Sequence, residues 1–296
     1  MISCKKTVIV FIIVLVVLFF LFSPFLAGEV HSKRKEYFNN SPLNEALKEG
    51  EAHVWYLGHS GWAIKTKNHL LIFDYSPMDS KPAEPSISNG RVVPSEVKDQ
   101  NVFVFVSHGH ADHYDTEIFE WEKSIAHITY IFGWQLRENR GPEIYVAEPR
   151  EKKRIDGLEI LSIYHEFDGI PEAAFLVKVD GLVIFYSGDH GSTGEVLNPV
   201  FKDNVDFLAK NANGIDMAFI CQFGSQTGDA VNKGDLYTIE KLKPRVTFPM
   251  HRGKGESAYK KFAQEAADKG VVSKFYCAER KGDRFFYQNN KISPSK

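Results

Sequence analysis

Short apolar runs alternate with polar turns along the chain, and their spacing predicts strands followed by helices, twice over. After a polar stretch at 28–50, Ala52–Tyr56, Trp62–Lys65 and Leu70–Asp74 read as strands of a meander, separated by Gly58-His59-Ser60-Gly61 and Thr66-Lys67-Asn68. A Pro- and Ser-rich loop at about 76–98 leads to Val102–Val106, an unbroken apolar run that reads as a buried strand. Asp115 is placed to cap a short helix through Trp121. In the second half, Leu158–Tyr164, Ala174–Val179 and Leu182–Tyr186 read as strands, the last two joined by the hairpin dipeptide Asp180-Gly181. A helix is expected at about 195–208, a strand at Met217–Cys221, a helix at 233–241 and a strand at Arg245–Phe248. The segment Glu256–Lys269 puts Tyr259, Phe262, Ala263 and Ala266 on one helical face and stops at Gly270. This order implies an α/β architecture of two packed sheets with helices outside.

The N-terminus follows a different pattern. Val8–Phe22 is continuously apolar behind Lys5 and Lys6, and with Ser23–Ala27 it provides the roughly 20 residues that a bilayer-spanning helix needs. A small-x-small cleavage site is not evident, because Phe25 and Leu26 occupy the positions that would need small side chains. Residues 1–27 are therefore expected to form a hydrophobic helix, a signal anchor in preference to a removed signal peptide. Residues 28–50 would be a linker, and the bulk of the chain would lie outside the cytoplasm, membrane-anchored or secreted.

Composition adds exclusions. With 296 residues, 43% hydrophobic and 25% charged, the chain can fill one large core. A net charge of -2 supplies no cationic field, so nucleic acid is not expected as a partner. The three cysteines show no CxxC spacing, and Cys221 and Cys277 follow apolar strand-like runs, which reads as burial rather than redox chemistry.

The chemistry concentrates in His108-Gly109-His110-Ala111-Asp112-His113, directly after the apolar run Val102–Val106. Two histidines two apart on extended backbone point to one side, and Asp112 and His113 follow where the chain must turn. Four potential ligands in six residues exceed what one tetrahedral ion draws from so short a segment, so a two-metal site explains them better.

Ser107 to His113 resembles the HxHxDH signature of the metallo-β-lactamase superfamily. Leu71-Ile72-Phe73-Asp74 is similar to that family's first motif, His165 to its third, Asp189 in Tyr186-Ser187-Gly188-Asp189 to its fourth, and His251 in Phe248-Pro249-Met250-His251 to its fifth. The resemblance implies a four-layer αββα sandwich over residues 51–296. Within the superfamily, Tyr56-Leu57-Gly58-His59-Ser60 and Pro249-Met250-His251 resemble the group of predicted metal-dependent hydrolases related to L-ascorbate-6-phosphate lactonase and, more distantly, N-acylphosphatidylethanolamine phospholipase D. Gly188-Asp189-His190 departs from the commoner Gly-Asp-Thr, and the loop at 76–98 is longer than usual.

Carried over residue by residue, the resemblance implies one metal on His108, His110 and His165, a second on Asp112, His113 and His251, and Asp189 bridging them. Two divalent ions, zinc by analogy and iron or manganese by donor type, would hold a hydroxide that attacks an ester, lactone or phosphodiester. Asp112 would orient that nucleophile and take its proton as catalytic residue. His59, at the cleft rim, is a candidate for substrate contact, and His190 for donation to a leaving group. Asp74 is expected to orient the first metal's histidines without touching metal. For the third ligand of the first metal, His127, His165 and His190 compete; His165, ending an alternating strand, is preferred. The substrate would be a small molecule or a lipid-like one. The competing functions are a diiron oxidoreductase on the same fold and a non-catalytic metal-binding protein.

Overall fold

The computed structural model describes residues 41–78, 83–134, 144–167, 169–224, 228–251 and 257–294. The chain divides into two units, 1–46 and 47–296. In the first, the described residues hold a 3-10 turn at Pro42–Asn44 whose N-terminus is capped by Ser41. The apolar run 8–27, expected as a helix, lies outside the described residues, among which no helix is long and apolar enough to cross a membrane.

The second unit contains two sheets. The first is built from β1 (Ala52–Gly58), β2 (Gly61–Lys65), β3 (Leu70–Phe73), β4 (Asn101–Val106), β5 (His127–Phe132), β6 (Ile144–Val146), β14 (Arg284–Gln288) and β15 (Lys291–Pro294), in the order β15-β14-β1-β2-β3-β4-β5-β6. The second is built from β7 (Lys152–Ile155), β8 (Leu158–Phe167), β9 (Ile170–Val179), β10 (Leu182–Tyr186), β11 (Met217–Cys221), β12 (Val246–Met250) and β13 (Lys274–Phe275), in the order β13-β12-β11-β10-β9-β8-β7. Each sheet has a parallel half: β3 to β6 in one, β10 to β13 in the other.

Parallel strands covered on both faces explain the unbroken apolar runs. Along β4, Phe103 and Phe105 face the other sheet, and along β11 so do Met217, Phe219 and Cys221. The alternate residues Ala218 and Ile220 pack outward against helices. These helices are α2 (Pro199–Asn211), α3 (Lys233–Leu242) and α4 (Ser257–Asp268), whose Phe201, Val205, Leu208, Ile239, Leu242 and Phe262 close the second core. The outer face of the first sheet is covered more thinly, by the 3-10 helix Thr116–Lys123: Tyr130 donates to Ile118 O at 2.9 Å, and Phe119 stacks on Phe132. Asp115 does cap that segment, through Glu117 N. The four-layer αββα sandwich expected from the sequence is thus present, with its fourth layer, among the described residues, made of short helices.

Boundaries shift for local reasons. The helix expected at 195–208 begins at Pro199, because Asn198 accepts from Val200 N and Phe201 N as cap and proline suits the first helical position. β12 runs on to Met250 through Pro249, which a central strand would not tolerate; β13 pairs with Val246 and Thr247, so the proline falls past the end of that edge strand. The loop expected at 76–98 contains a 3-10 turn at Ile87–Asn89 and the single-turn α1 (Pro94–Val97).

Candidate metal centre

The site forms where the parallel strands of both sheets end. Asp74 leaves β3, His108 and His110 leave β4, Asp189 leaves β10, Cys221 ends β11 and His251 leaves β12, so all stand on one rim, the usual location for chemistry in parallel α/β sheets. His59 joins them from the turn after β1, and its carbonyl accepts from His251 N at 3.1 Å and from the Tyr259 hydroxyl at 3.3 Å. His59, Asp74 and His251 all have positive φ (48°, 40° and 66°), conformations that non-glycine residues rarely hold unless the surroundings impose them. Gly188 also has positive φ, and a Cβ there would come within 2.6 Å of Ser107 Cβ and 2.7 Å of Ala173 O; glycine lets the strand carrying Asp189 approach the one carrying His108.

Two groups of four donor atoms converge, each within 4.8 Å: His108, His110, Glu172 and Asp189 in one, and His59, Asp112, His113 and His251 in the other; a third, of Asp189, Cys221 and His251, overlaps both. Asp189 joins them. Its Oδ2 lies 3.7 Å from His108 Nε2 and 3.3 Å from His251 Nε2, and its Oδ1 lies 3.2 Å from His113 Nε2. Asp112 Oδ2 lies 3.2 Å from His59 Nε2 and 3.7 Å from His251 Nε2. Two donors each about 2.1 Å from a tetrahedral ion stand about 3.4 Å apart, so these separations match co-ligation better than direct hydrogen bonding. The Nε2 atoms of His113 and His59 are buried and have no hydrogen-bond partner, an expensive arrangement unless a cation occupies the space they face. The donor set therefore fits bound divalent metal.

Asp74 holds the frame. Fully buried, it accepts from Ser107 N (2.7 Å), Ser107 Oγ (2.6 Å), the Tyr186 hydroxyl (2.8 Å) and His113 Nδ1 (2.7 Å). The bond to Nδ1 turns the Nε2 of His113 toward the site. It was expected to orient the first metal's histidines; it touches His113 of the other group directly and reaches His108 only through Ser107 Oγ, 3.0 Å from His108 Nδ1. The reason is that Asp74 itself ends β3, beside the exit of β4.

Charge follows this packing. Burial disfavours charge on His113, but the carboxylates of Asp74 and Asp189 outweigh it and raise its pKa to about 10. Burial likewise opposes ionised Asp189, yet the rings of His113 and His251 hold its carboxyl far below the usual range. The His59 ring does the same for Asp112. Burial and the His113 charge bring His108 down to about 4, and burial with the Asp189 charge pushes Glu172 up to about 8.

Of the residues expected from sequence, His108, His110, Asp112, His113, Asp189 and His251 come together. His165 does not enter either group: it lines a cavity of about 430 Å³ beside the first group, with Asp189, Ser192, Thr193, Asn198 and Phe223. His190 turns the other way. Its ring stacks on Phe201 at 4.9 Å, lies 3.4 Å from Asn204 Nδ2, and burial lowers its pKa to about 3. Neighbouring residues leaving a strand point apart, and Asp189 has taken the inward direction. His127 opens β5 beside Asn101, at the end of the sheet away from the site.

Two residues near the donors escaped sequence reasoning. Cys221 lies under the site with Sγ 3.5 Å from Asp189 Oδ1. Glu172 sits on β9 directly opposite His165 on β8, and the dipeptide Asp168-Gly169 between them was the signal that would have paired them.

Residues 53–251 match the family described as "Beta-lactamase superfamily domain". A "UPF0173 metal-dependent hydrolase" of Pelotomaculum thermopropionicum is 26% identical over 220 residues, covering 67% of this chain and 83% of that protein. Among solved structures, Igni18, a metallo hydrolase from Ignicoccus hospitalis, aligns with a TM-score of 0.58 at 17% identity, over 80% of this chain and 99% of its own. CmlA, a diiron β-hydroxylase from Streptomyces venezuelae, aligns with a TM-score of 0.57 at 10% identity, over 85% of this chain and 55% of its own. At those identities both show a shared fold.

Proposed function

This chain belongs to the beta-lactamase superfamily, and on that footing we propose that it is a metal-dependent hydrolase whose centre holds two divalent ions. The observation that carries this reading is Asp189, whose carboxylate stands between the two groups of donors, Oδ2 near both His108 and His251 and Oδ1 near His113. His108 and His110 with Asp189 would hold the first ion; Asp112, His113 and His251, with His59 beside them, would hold the second. When bound, such a pair supplies Lewis acidity and an acidified water at neutral pH.

The chain's own residues do the rest. Asp112 is the more exposed carboxylate of the site, with 32% of its side chain accessible, and so is the acid-base group that substrate and solvent can reach. Kept anionic by His59, it can take a proton from the attacking water and return it to the leaving group. Buried Asp74 fixes the donor geometry before substrate arrives. The cavity beside His110 offers the Ser192 and Thr193 region for polar contact and Phe223 with Val196 for apolar contact, which suits a small or lipid-like ester, lactone or phosphodiester. An N-terminal anchor at 1–27, with the catalytic unit outside the cytoplasm, belongs to the same proposal.

The test is elemental analysis of the zinc-loaded chain with hydrolysis assays on nitrophenyl esters, lactones and bis-nitrophenyl phosphate. Two ions per chain are expected, with hydrolysis lost to a chelator and restored by metal. One ion per chain at saturation, or no hydrolysis of any class by the fully loaded chain, would overturn the reading.

A further inference from the structure

The two donor groups are unlike each other. One gathers three imidazoles and a carboxylate (His59, His113, His251 and Asp112); the other gathers two imidazoles and two carboxylates (His108, His110, Glu172 and Asp189). The second carboxylate of the latter comes from a residue with no part in the hydrolytic reading above.

Glu172 enters through the register of the β8–β9 hairpin. Residues directly opposite on antiparallel strands share a face, so Glu172 and His165 both face the cavity. They do not reach equally far. Glu172 is 2% exposed and places Oε1 3.9 Å from His108 Nε2, inside the group of converging donors. His165 stands outside that group, its ring 6.0 Å from that of His190. A carboxylate this buried is costly unless a proton or a cation neutralises it, and among the converging donors of this group a cation is the partner at hand.

We infer that Glu172 is a ligand of the first ion, so that His108, His110 and Glu172 form a two-histidine, one-carboxylate face shared with Asp189. This rests on the two-ion reading above and deepens it. Oxygen donors suit manganese and iron(II) better than the imidazole-rich second group does, and a face of two histidines and one carboxylate is the donor pattern associated with iron(II). The pair is therefore asymmetric: the first position accepts Mn2+ or Fe2+ more readily, the second retains Zn2+. His165, free of ligation, is left facing the cavity.

The experiment is titration of metal-free wild type, Glu172→Gln and His165→Ala with Mn2+, Co2+ and Zn2+. Bound ions are counted after gel filtration, the Co2+ absorption spectrum is recorded, and circular dichroism monitors the fold. Wild type should bind two ions. Glu172→Gln should lose first-site affinity by at least about 100-fold with a changed Co2+ spectrum, while His165→Ala keeps two ions and the wild-type spectrum. If Glu172→Gln does not fold, Glu172→Asp takes its place: two ions with weakened first-site Mn2+ affinity would support the assignment, and unaltered affinity would count against it. Two ions at wild-type affinity in Glu172→Gln, or loss of one ion in His165→Ala, overturns the assignment and leaves the two-ion reading standing. Fewer than two ions in wild type would instead bring down that reading.

Discussion

His113 Nδ1 lies 2.7 Å from Asp74 Oδ2, and both side chains are fully buried. The same carboxylate carries three further donors, from Ser107 and Tyr186. Replacing it with alanine strands all of them in the core. Asp74→Ala is expected to destabilise the fold by about 3–5 kcal/mol, as removal of one partner from a buried charged pair does. Asp74→Asn, which keeps the volume, is expected to cost about 10–100-fold in metal affinity. Urea unfolding and metal titration measure the two effects; a metal affinity unchanged in Asp74→Asn would show that His113 needs no such partner.

Asp112 is less embedded, and its replacement separates chemistry from folding. Asp112→Asn should leave the thermal unfolding of the metal-free chain unchanged while lowering turnover by about 10²–10⁴-fold. Steady-state kinetics on whichever substrate class the wild type hydrolyses, beside a melting curve, is the measurement. Turnover within a factor of two of wild type would remove Asp112 from the acid-base role.

His190 gives the opposite pattern. Its ring packs on Phe201, so His190→Ala should destabilise by about 2–4 kcal/mol through the cavity it leaves, whereas His190→Phe should keep metal content and most activity. A folded His190→Phe variant that binds two ions but has lost hydrolysis would restore His190 as a catalytic candidate.

Acid sensitivity can be traced to Asp180, away from the metal centre. Burial alone would raise its pKa, but Thr66, the backbone and side chain of Asn68, and His69 all donate to it and bring it down to about 2, with the Lys65 ammonium nearby. Because the folded value lies below the unfolded 3.8, this carboxylate stabilises the fold above about pH 4, and the contribution disappears as pH falls toward 2. The shift corresponds to about 2 kcal/mol. Urea midpoints of wild type and Asp180→Asn should differ at pH 6 and converge below pH 3; a constant gap would assign the difference to shape instead of charge.

The strands that carry the candidate ligands were legible because they are buried on both faces. A run such as Val102–Val106 has no polar residue to confuse its reading, and the histidines after it stand at a predictable turn. The hairpin β14–β15 was missed although Asn289-Asn290, both at positive φ, marks its turn; Arg284 and Gln288 bracket a strand too short to stand out by periodicity. Glu172 was missed for a different reason. A glutamate beside Pro171 near a Gly turn reads as solvent-facing, and only the pairing with β8 puts it inside. His165, preferred for its position at a strand end, lines the cavity opposite Glu172, and the sequence does not show that the Glu172 side chain lies nearer His108.

The amide of His251 donates to the carbonyl of His59, joining the first strand of the catalytic unit to one of its last. During synthesis this pin cannot close, and the group of His59, Asp112, His113 and His251 cannot be complete, until residue 251 has cleared the ribosome, whereas the donors of the other group are all present once Asp189 has emerged. The growing chain thus carries Asp112 and His113 without their last partner until that point. The two positions are thus finished in order, the one holding His251 last, so a folding helper or an export route that delays this pin would act on the metal of that position alone.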